Sequence, residues 1–152
     1  MKKIIFGLIA VLFICGITFG AGTVTQTTTD IANDVRIVTL DCSGNATGGA
    51  IPDTAFPPAH SSKTLKGYYL YRVIIDNNSG DNNVTDDSDV YIKDPSGTDL
   101  LVANGIDQLD NQTRNYVRLT SFEPIITEQL TLDVDNQSEN AGSYTITLIF
   151  AR

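Results

Sequence analysis

The sequence predicts an all-β fold: a single antiparallel β-sandwich, jelly-roll or immunoglobulin-like, with six to eight strands and at most one short helix. Three observations predict it. Apolar residues recur at every second position in short runs rich in Val, Ile, Thr and Tyr. Gly, Pro, Asn and Asp clusters separate those runs. Beyond an apolar leader, no stretch keeps a helical apolar stripe for more than a turn or two. Sandwich and jelly-roll domains combine these features.

Residues 1–22, MKKIIFGLIAVLFICGITFGAG, read as an export signal. Lys2 and Lys3 form a basic start, and Ile4 to Phe19 is an uncharged apolar run with no polar face. Gly20, Ala21 and Gly22 then supply small residues for cleavage. The run is near the lower length for a membrane span, so an uncleaved anchor is the alternative. Cys15 follows bulky Phe13 and Ile14, where a lipidation site wants small residues. The expected location is secreted, periplasmic or cell-surface. Loss of Lys2 and Lys3 with the leader takes the formal charge from -8 to -10. It leaves Cys42 as the remaining cysteine, so no disulfide forms within the chain. Cys42 itself reads as a small buried hydrophobe at a strand end.

The rest of the 152 residues suits one domain, with residues 30–152 forming the sandwich. Thr23 to Thr29 is a polar, β-branched segment, read as a flexible N-terminal stretch: a frayed first strand or a linker. Arg36 to Leu40 is a strand dense in β-branched residues. Residues 43–62 form a long loop, because Pro57-Pro58 fits neither a ladder nor a helix interior. GYYLYRVIID, from Gly67 to Asp76, reads as a central strand. Tyr69, Tyr71, Val73 and Ile75 lie on one face, and Tyr68, Leu70, Arg72 and Ile74 on the other, both buried.

Asp89 to Lys93 is a short strand ended by Asp94-Pro95-Ser96-Gly97, which favours a tight turn into Thr98–Val102 and hence a hairpin. Asp99 to Asp110 holds at most one or two helical turns, since Gly105 interrupts the spacing of Val102, Ile106 and Leu109. Tyr116 to Leu119 is a strand running to the break at Pro124. Leu130, Leu132 and Val134 alternate with polar residues, as do Tyr144, Ile146, Leu148 and Phe150. With the polar loop 136–142 between them, residues 129–135 and 143–150 are expected to pair as an antiparallel hairpin.

The chemistry-bearing residues are few. At 41% hydrophobic and 18% charged, the chain is too apolar for disorder and too sparse in charge for a coiled coil. Its negative charge argues against a nucleic-acid partner, which needs a basic face. His60, the one histidine, sits beside Pro57-Pro58, and no GxSxG elbow accompanies it. One histidine and one remaining cysteine cannot make an ordinary zinc site. Neither GxxxxGK[ST] nor GxGxxG occurs. No residue is therefore assigned as catalytic, cofactor-binding or metal-ligating, and the expected function is non-enzymatic with no cofactor.

Two binding alternatives rest on particular residues. The loop from Asp76 to Asp89 packs five Asp and four Asn into fourteen residues. Calcium takes six to eight oxygen ligands, although the alternating DxDxDG order is absent and turn-forming composition accounts for the same residues. Tyrosines at 68, 69, 71, 91, 116 and 144 are the candidates for stacking a glycan, set against packing within strands. Asn-x-Ser/Thr triplets begin at Asn45, Asn77, Asn83, Asn111 and Asn136, as chance allows in a chain rich in Asn and Thr.

The segments GYYLYRVIID, DDSDVYIKDPSGTDLL and EQLTLDVDNQSENAGSYTITLIFAR, preceded by IPDTAFPP, occur in a recognisable order. It is an aromatic strand, an acidic loop, a turn of the form D-x-x-G-x-D at Asp94, Gly97 and Asp99, and a terminal pair. In this order, the chain resembles small β-rich proteins of unassigned function found among the structural genes of tailed phages and uncultured viruses. The resemblance implies a virion-associated β-domain and carries no catalytic residues. The leader departs from that pattern, because virion parts assemble in the cytoplasm. A cellular relative working outside the membrane, or a leader kept as an anchor, would reconcile the two.

The sequence thus points to an exported structural or surface-interaction module, virion-like in its assembly role. Its partner would be another protein or a further copy of itself, with a surface glycan possible. No nucleic acid is involved, and the membrane enters only through an uncleaved leader. The Thr-rich segment 23–29 would serve as a strand added to a neighbour's edge. The alternative is an extracellular carbohydrate- or calcium-binding module.

Overall fold

A computed structural model describes residues 22–32, 34–57, 64–77, 88–105, 114–118, 125–135 and 142–152. The strands are β1 (Thr23–Ala32), β2 (Val35–Ser43), β3 (Thr54–Phe56), β4 (Tyr69–Asn77), β5 (Asp89–Lys93), β6 (Arg114–Arg118), β7 (Leu130–Asp135) and β8 (Ser143–Ala151). No helix occurs among the described residues. The larger sheet has the order β1-β2-β8-β4-β6 and the smaller the order β3-β7-β5. Every strand pair is antiparallel.

The core lies between the sheets. Val38 and Leu40 from β2, Leu70, Val73 and Ile75 from β4, and the alternate residues of β8 meet Phe56, Val90, Ile92, Leu130 and Leu132 from the smaller sheet in one buried cluster. Tyr144, Ile146, Leu148 and Phe150 of β8 are all at 0% exposure. At roughly 1.5–3 kcal/mol for each fully buried side chain of this size, that row is the largest contribution from any described strand. β8 can bury four residues because β2 and β4 flank it on both sides.

The pairings nest. β4 pairs with β6, β3 with β7 and β2 with β8. At the centre of the nest, β5 meets the chain returning after it, through a bridge between Lys93 and Asp99. Strands β2 to β5 alternate between the sheets going out, and β6 to β8 alternate coming back. One long hairpin rolled over itself in this way is a jelly-roll. The fold is therefore the expected antiparallel sandwich, in its jelly-roll form, with β1 added beside β2.

Several local expectations are corrected. Of the two readings of 23–29, the first strand holds and the flexible linker does not, because the stretch forms the body of β1, in register from Thr23 opposite Ser43 to Thr29 opposite Ile37. Alternation settles this: Val24 packs against the core, while Thr23, Thr25, Thr27 and Thr29 point outward. One edge of β1 is taken by β2, and β1 ends the larger sheet. The expected hairpin of 129–135 with 143–150 does not form, as β7 and β8 lie in opposite sheets. Each has one dry face, and dry faces meet across a sandwich as readily as strands pair along a sheet.

The hairpin after Asp94–Gly97 is half right. The turn is present, with the Gly97 N–H donating to the Asp94 carbonyl and Gly97 at φ 84. However, Thr98–Val102 returns as turns with one bridge, and the strand partner of β5 is β7. Residues 99–105 hold turns and no helix, and 106–110 lie outside the described residues. β4 is central, as expected, but its faces divide differently from strict alternation. A bulge between Leu70 and Arg72 turns Tyr71 out to 48% exposure. The inner face therefore reads Leu70, Val73, Ile75 and Asn77, and the outer face is half-buried.

Candidate functional site

The open groups of a sandwich are the backbone donors and acceptors on its edge strands, and this chain treats its edges unequally. The outer edge of β5 is covered by residues 98–105. The Leu100 N–H donates to the Ile92 carbonyl at 2.7 Å, and the Val90 N–H donates to the Gly105 carbonyl at 2.9 Å. The Ile92 N–H donates to Asp99 Oδ1 at 3.2 Å. Asp99 also organises the cover itself. Its Oδ1 accepts from the Leu101 N–H and its Oδ2 from the Ala103 N–H, each at 3.0 Å. Those bonds hold Val102 and Ala103 in the left-handed region, at φ 51 and 62.

The segment enters this cover through Asp94. Its Oδ1 accepts from the Ser96 N–H, the Ser96 hydroxyl and the Thr98 N–H, at 2.9, 2.6 and 2.9 Å. The Ser96 hydroxyl, followed by the Thr98 amide, holds the Asp94 carboxyl below the ordinary carboxylate range. Neither Asp99 nor Gly105 was singled out from the sequence for this role. The signal was available, since an Asp followed within six residues by Asn-Gly marks an Asx-type turn cluster.

The seam between β1 and β3 is also tied. Gln26 Nε2 donates to the Ala55 carbonyl at 2.9 Å, so β1 reaches across to the short edge strand of the other sheet. The far side of β1 is different. β1 ends the larger sheet, and among the described residues no strand lies beyond it. It is a ten-residue edge whose one charged residue, Asp30, accepts from Arg36 Nε at 2.6 Å. Ile31, at the irregularity near its end, is 63% exposed.

Register carries the hydroxyl pattern of β1 across the sheet. Thr23, Thr25, Thr27 and Thr29 stand opposite Ser43, Asp41, Thr39 and Ile37 of β2. Those four stand in turn opposite Ser143, Thr145, Thr147 and Ile149 of β8. Over β1, β2 and β8 the outer face is accordingly hydroxyl-rich, with Asp41 as its one charged residue, accepting from the Thr145 hydroxyl at 2.9 Å; Arg72 and Asp76 of β4 continue the face beyond β8. The smaller sheet shows the opposite character. Lys93 Nζ donates to Asp133, and that bond raises the Lys93 pKa. Desolvation, then the neighbouring Asp133 carboxylate, pushes the Asp53 carboxyl up.

The residues singled out from sequence fall in varied places. His60, Asn83, Asn111, Asn136 and residues 78–87 of the acidic loop lie outside the described residues, as does the leader up to residue 21. The loop's anchors Asn77, Ser88 and Asp89 are buried. Burial of Asn77 closes that triplet to a glycan. Cys42 is 3% exposed, and burial pushes its thiol up to about 12. Tyr68 and Tyr144 are core residues, and Tyr68 carries the guanidinium groups of Arg36 and Arg152, each 5.0 Å from its ring centre. Tyr71 and Tyr116 are the exposed tyrosines.

Among the described residues, no group of three or more His, Cys, Asp or Glu side chains is placed to hold a metal ion. A hollow of about 50 Å³ lies beside Asp94, Leu100, Ile125 and Glu128. That is space for a water or two, against the several hundred Å³ of a typical ligand pocket. No protein-family model, curated protein or solved structure matches the chain.

Proposed function

We propose that the protein is a non-enzymatic, exported structural or surface-interaction module that works by assembly through its sheet edges. The observation that carries this reading is the contrast between edges. β5 is sealed by a segment organised on Asp99, whereas β1 presents ten residues of strand with no strand beyond them among the described residues. Folded proteins usually block a long neutral edge with charge, proline or a covering segment, because unpaired N–H and C=O groups recruit another strand. An edge left open beside one that is closed is suited to use. By analogy of fold alone, jelly-rolls serve both as capsid subunits and as lectins.

Light scattering on the full chain, with calcium and with EDTA, tests the reading. A defined oligomer or polymer supports it. A monomer in both buffers at every concentration refutes it, and glycan binding at exposed Tyr71 and Tyr116 would then be the activity to screen.

A further inference from the structure

The partner of that open edge follows from its own sequence. We infer that β1 pairs with β1 of a second copy, antiparallel, about a twofold axis at Thr27. The inference rests on the assembly reading and names its partner. Residues facing each other across an antiparallel pair lie on the same face of the sheet, so only registers that match odd with odd positions are allowed. Centring on Thr27 uses the whole stretch 23–31. Thr27 meets its own copy, Thr25 meets Thr29, and Thr23 meets exposed Ile31. On the other face Gln26 meets Thr28 and Val24 meets Asp30.

Three features favour this occupant. Threonine pairs directly across strands are stabilising, and this register makes three of them from residues that are exposed in the single chain. The one acid on each strand, Asp30, stands opposite Val24 of the other copy, well away from the second Asp30. The product is a continuous ten-stranded sheet whose outer face carries the hydroxyl rows of both copies. A twofold contact of this kind is closed, giving a dimer and no filament through this edge.

The test uses the full chain in a Cys15→Ser background. Strand partners sit about 4.5–5.5 Å apart between Cα atoms, within disulfide range. Thr27→Cys should therefore cross-link to a covalent dimer under mild oxidation. Thr39→Cys, one strand further in, would be roughly 14 Å from its copy and should not. Charge exchange tests the register. Thr25→Lys with Thr29→Lys sets lysine against lysine at both crossings and should weaken association about tenfold or more, with the thermal midpoint of the monomer retained. Thr25→Lys with Thr29→Glu sets opposite charges together and should restore the dimer.

An oligomer that persists unchanged in the double-lysine variant, with no cross-link at Thr27→Cys, overturns the β1 pairing while the assembly reading stands. A chain that is monomeric throughout overturns both.

Discussion

Replacing Gly105 by alanine tests whether residues 98–105 truly guard the β5 edge. A methyl group there would lie 1.8 Å from the Val90 carbonyl oxygen, 3.0 Å from its carbon and 2.8 Å from Leu101 Cδ1. A leucine terminus can rotate away. The Val90 carbonyl cannot, because it belongs to a strand paired residue by residue with β7. Relief must come from lifting the segment, which breaks the bond from the Val90 N–H to the Gly105 carbonyl. An unmade buried bond costs roughly 1–3 kcal/mol. Residual overpacking costs about 1–3 kcal/mol. Restricting the unfolded chain returns roughly 0.4–1 kcal/mol. The net loss lies between about 1 and 5 kcal/mol and centres on about 3 kcal/mol, equivalent to a Tm lower by about 10 °C in a chain of this length. Urea unfolding and calorimetry measure it directly. Gly97→Ala is the comparison, since Gly97 has nothing within 4 Å of the added atom and only its positive φ to lose. That change should cost about 1–2 kcal/mol. If Gly105→Ala were as stable as the parent, or less damaging than Gly97→Ala, the segment is not a tightly docked cover.

Three further outcomes follow from single groups. Tyr144→Phe should leave stability within about 1 kcal/mol of the parent in urea unfolding, because the buried Tyr144 hydroxyl has only the weakly bonding Cys42 thiol as a neighbour and makes no well-formed hydrogen bond; a loss above about 2 kcal/mol would expose a strong bond to that hydroxyl. Cys42 should resist iodoacetamide in the native protein and react on unfolding, as its thiol is buried and raised to about 12. Peptide mapping that finds it labelled at neutral pH without denaturant contradicts this. Asp94→Asn should lower Tm at neutral pH, where the carboxylate of the parent is ionised and bonded to Ser96 and Thr98. A depressed acid stabilises above its unfolded value of about 4 and loses that stability as pH falls through its folded value, so the two melting curves should converge in strong acid. A gap independent of pH would contradict the assignment.

How much could be read in advance depended on whether the signal was local. The dry faces of β7 and β8 were legible because Leu130, Leu132 and Val134, and then Tyr144 to Phe150, keep strict alternation. Their partners were not, since side-chain alternation states which face is buried and says nothing of which strand lies alongside. The bulge at Tyr71 left no mark either. GYYLYRVIID is apolar at nearly every position, so a shift of phase within it is silent. β1 is visible only faintly as TVTQTTTD, because a strand so poor in apolar residues is held by its pairing with β2 and by Val24 and Gln26. The open edge was beyond reach, because being an edge is a property of the whole strand order.

The position of β8 in that order governs when the molecule can exist. The hydroxyl of Thr145 meets Asp41 across 104 residues of chain. β2 and β4 do not pair with each other; each pairs with β8. Until residues 143–151 leave the ribosome, the first half of the larger sheet has no centre to assemble around, and domains that otherwise fold from the N-terminus during synthesis cannot do so here. Contacts this distant also close slowly. In a chain of this design the β1–β2 pair and the β4–β6 pair join into one sheet only when β8 is made.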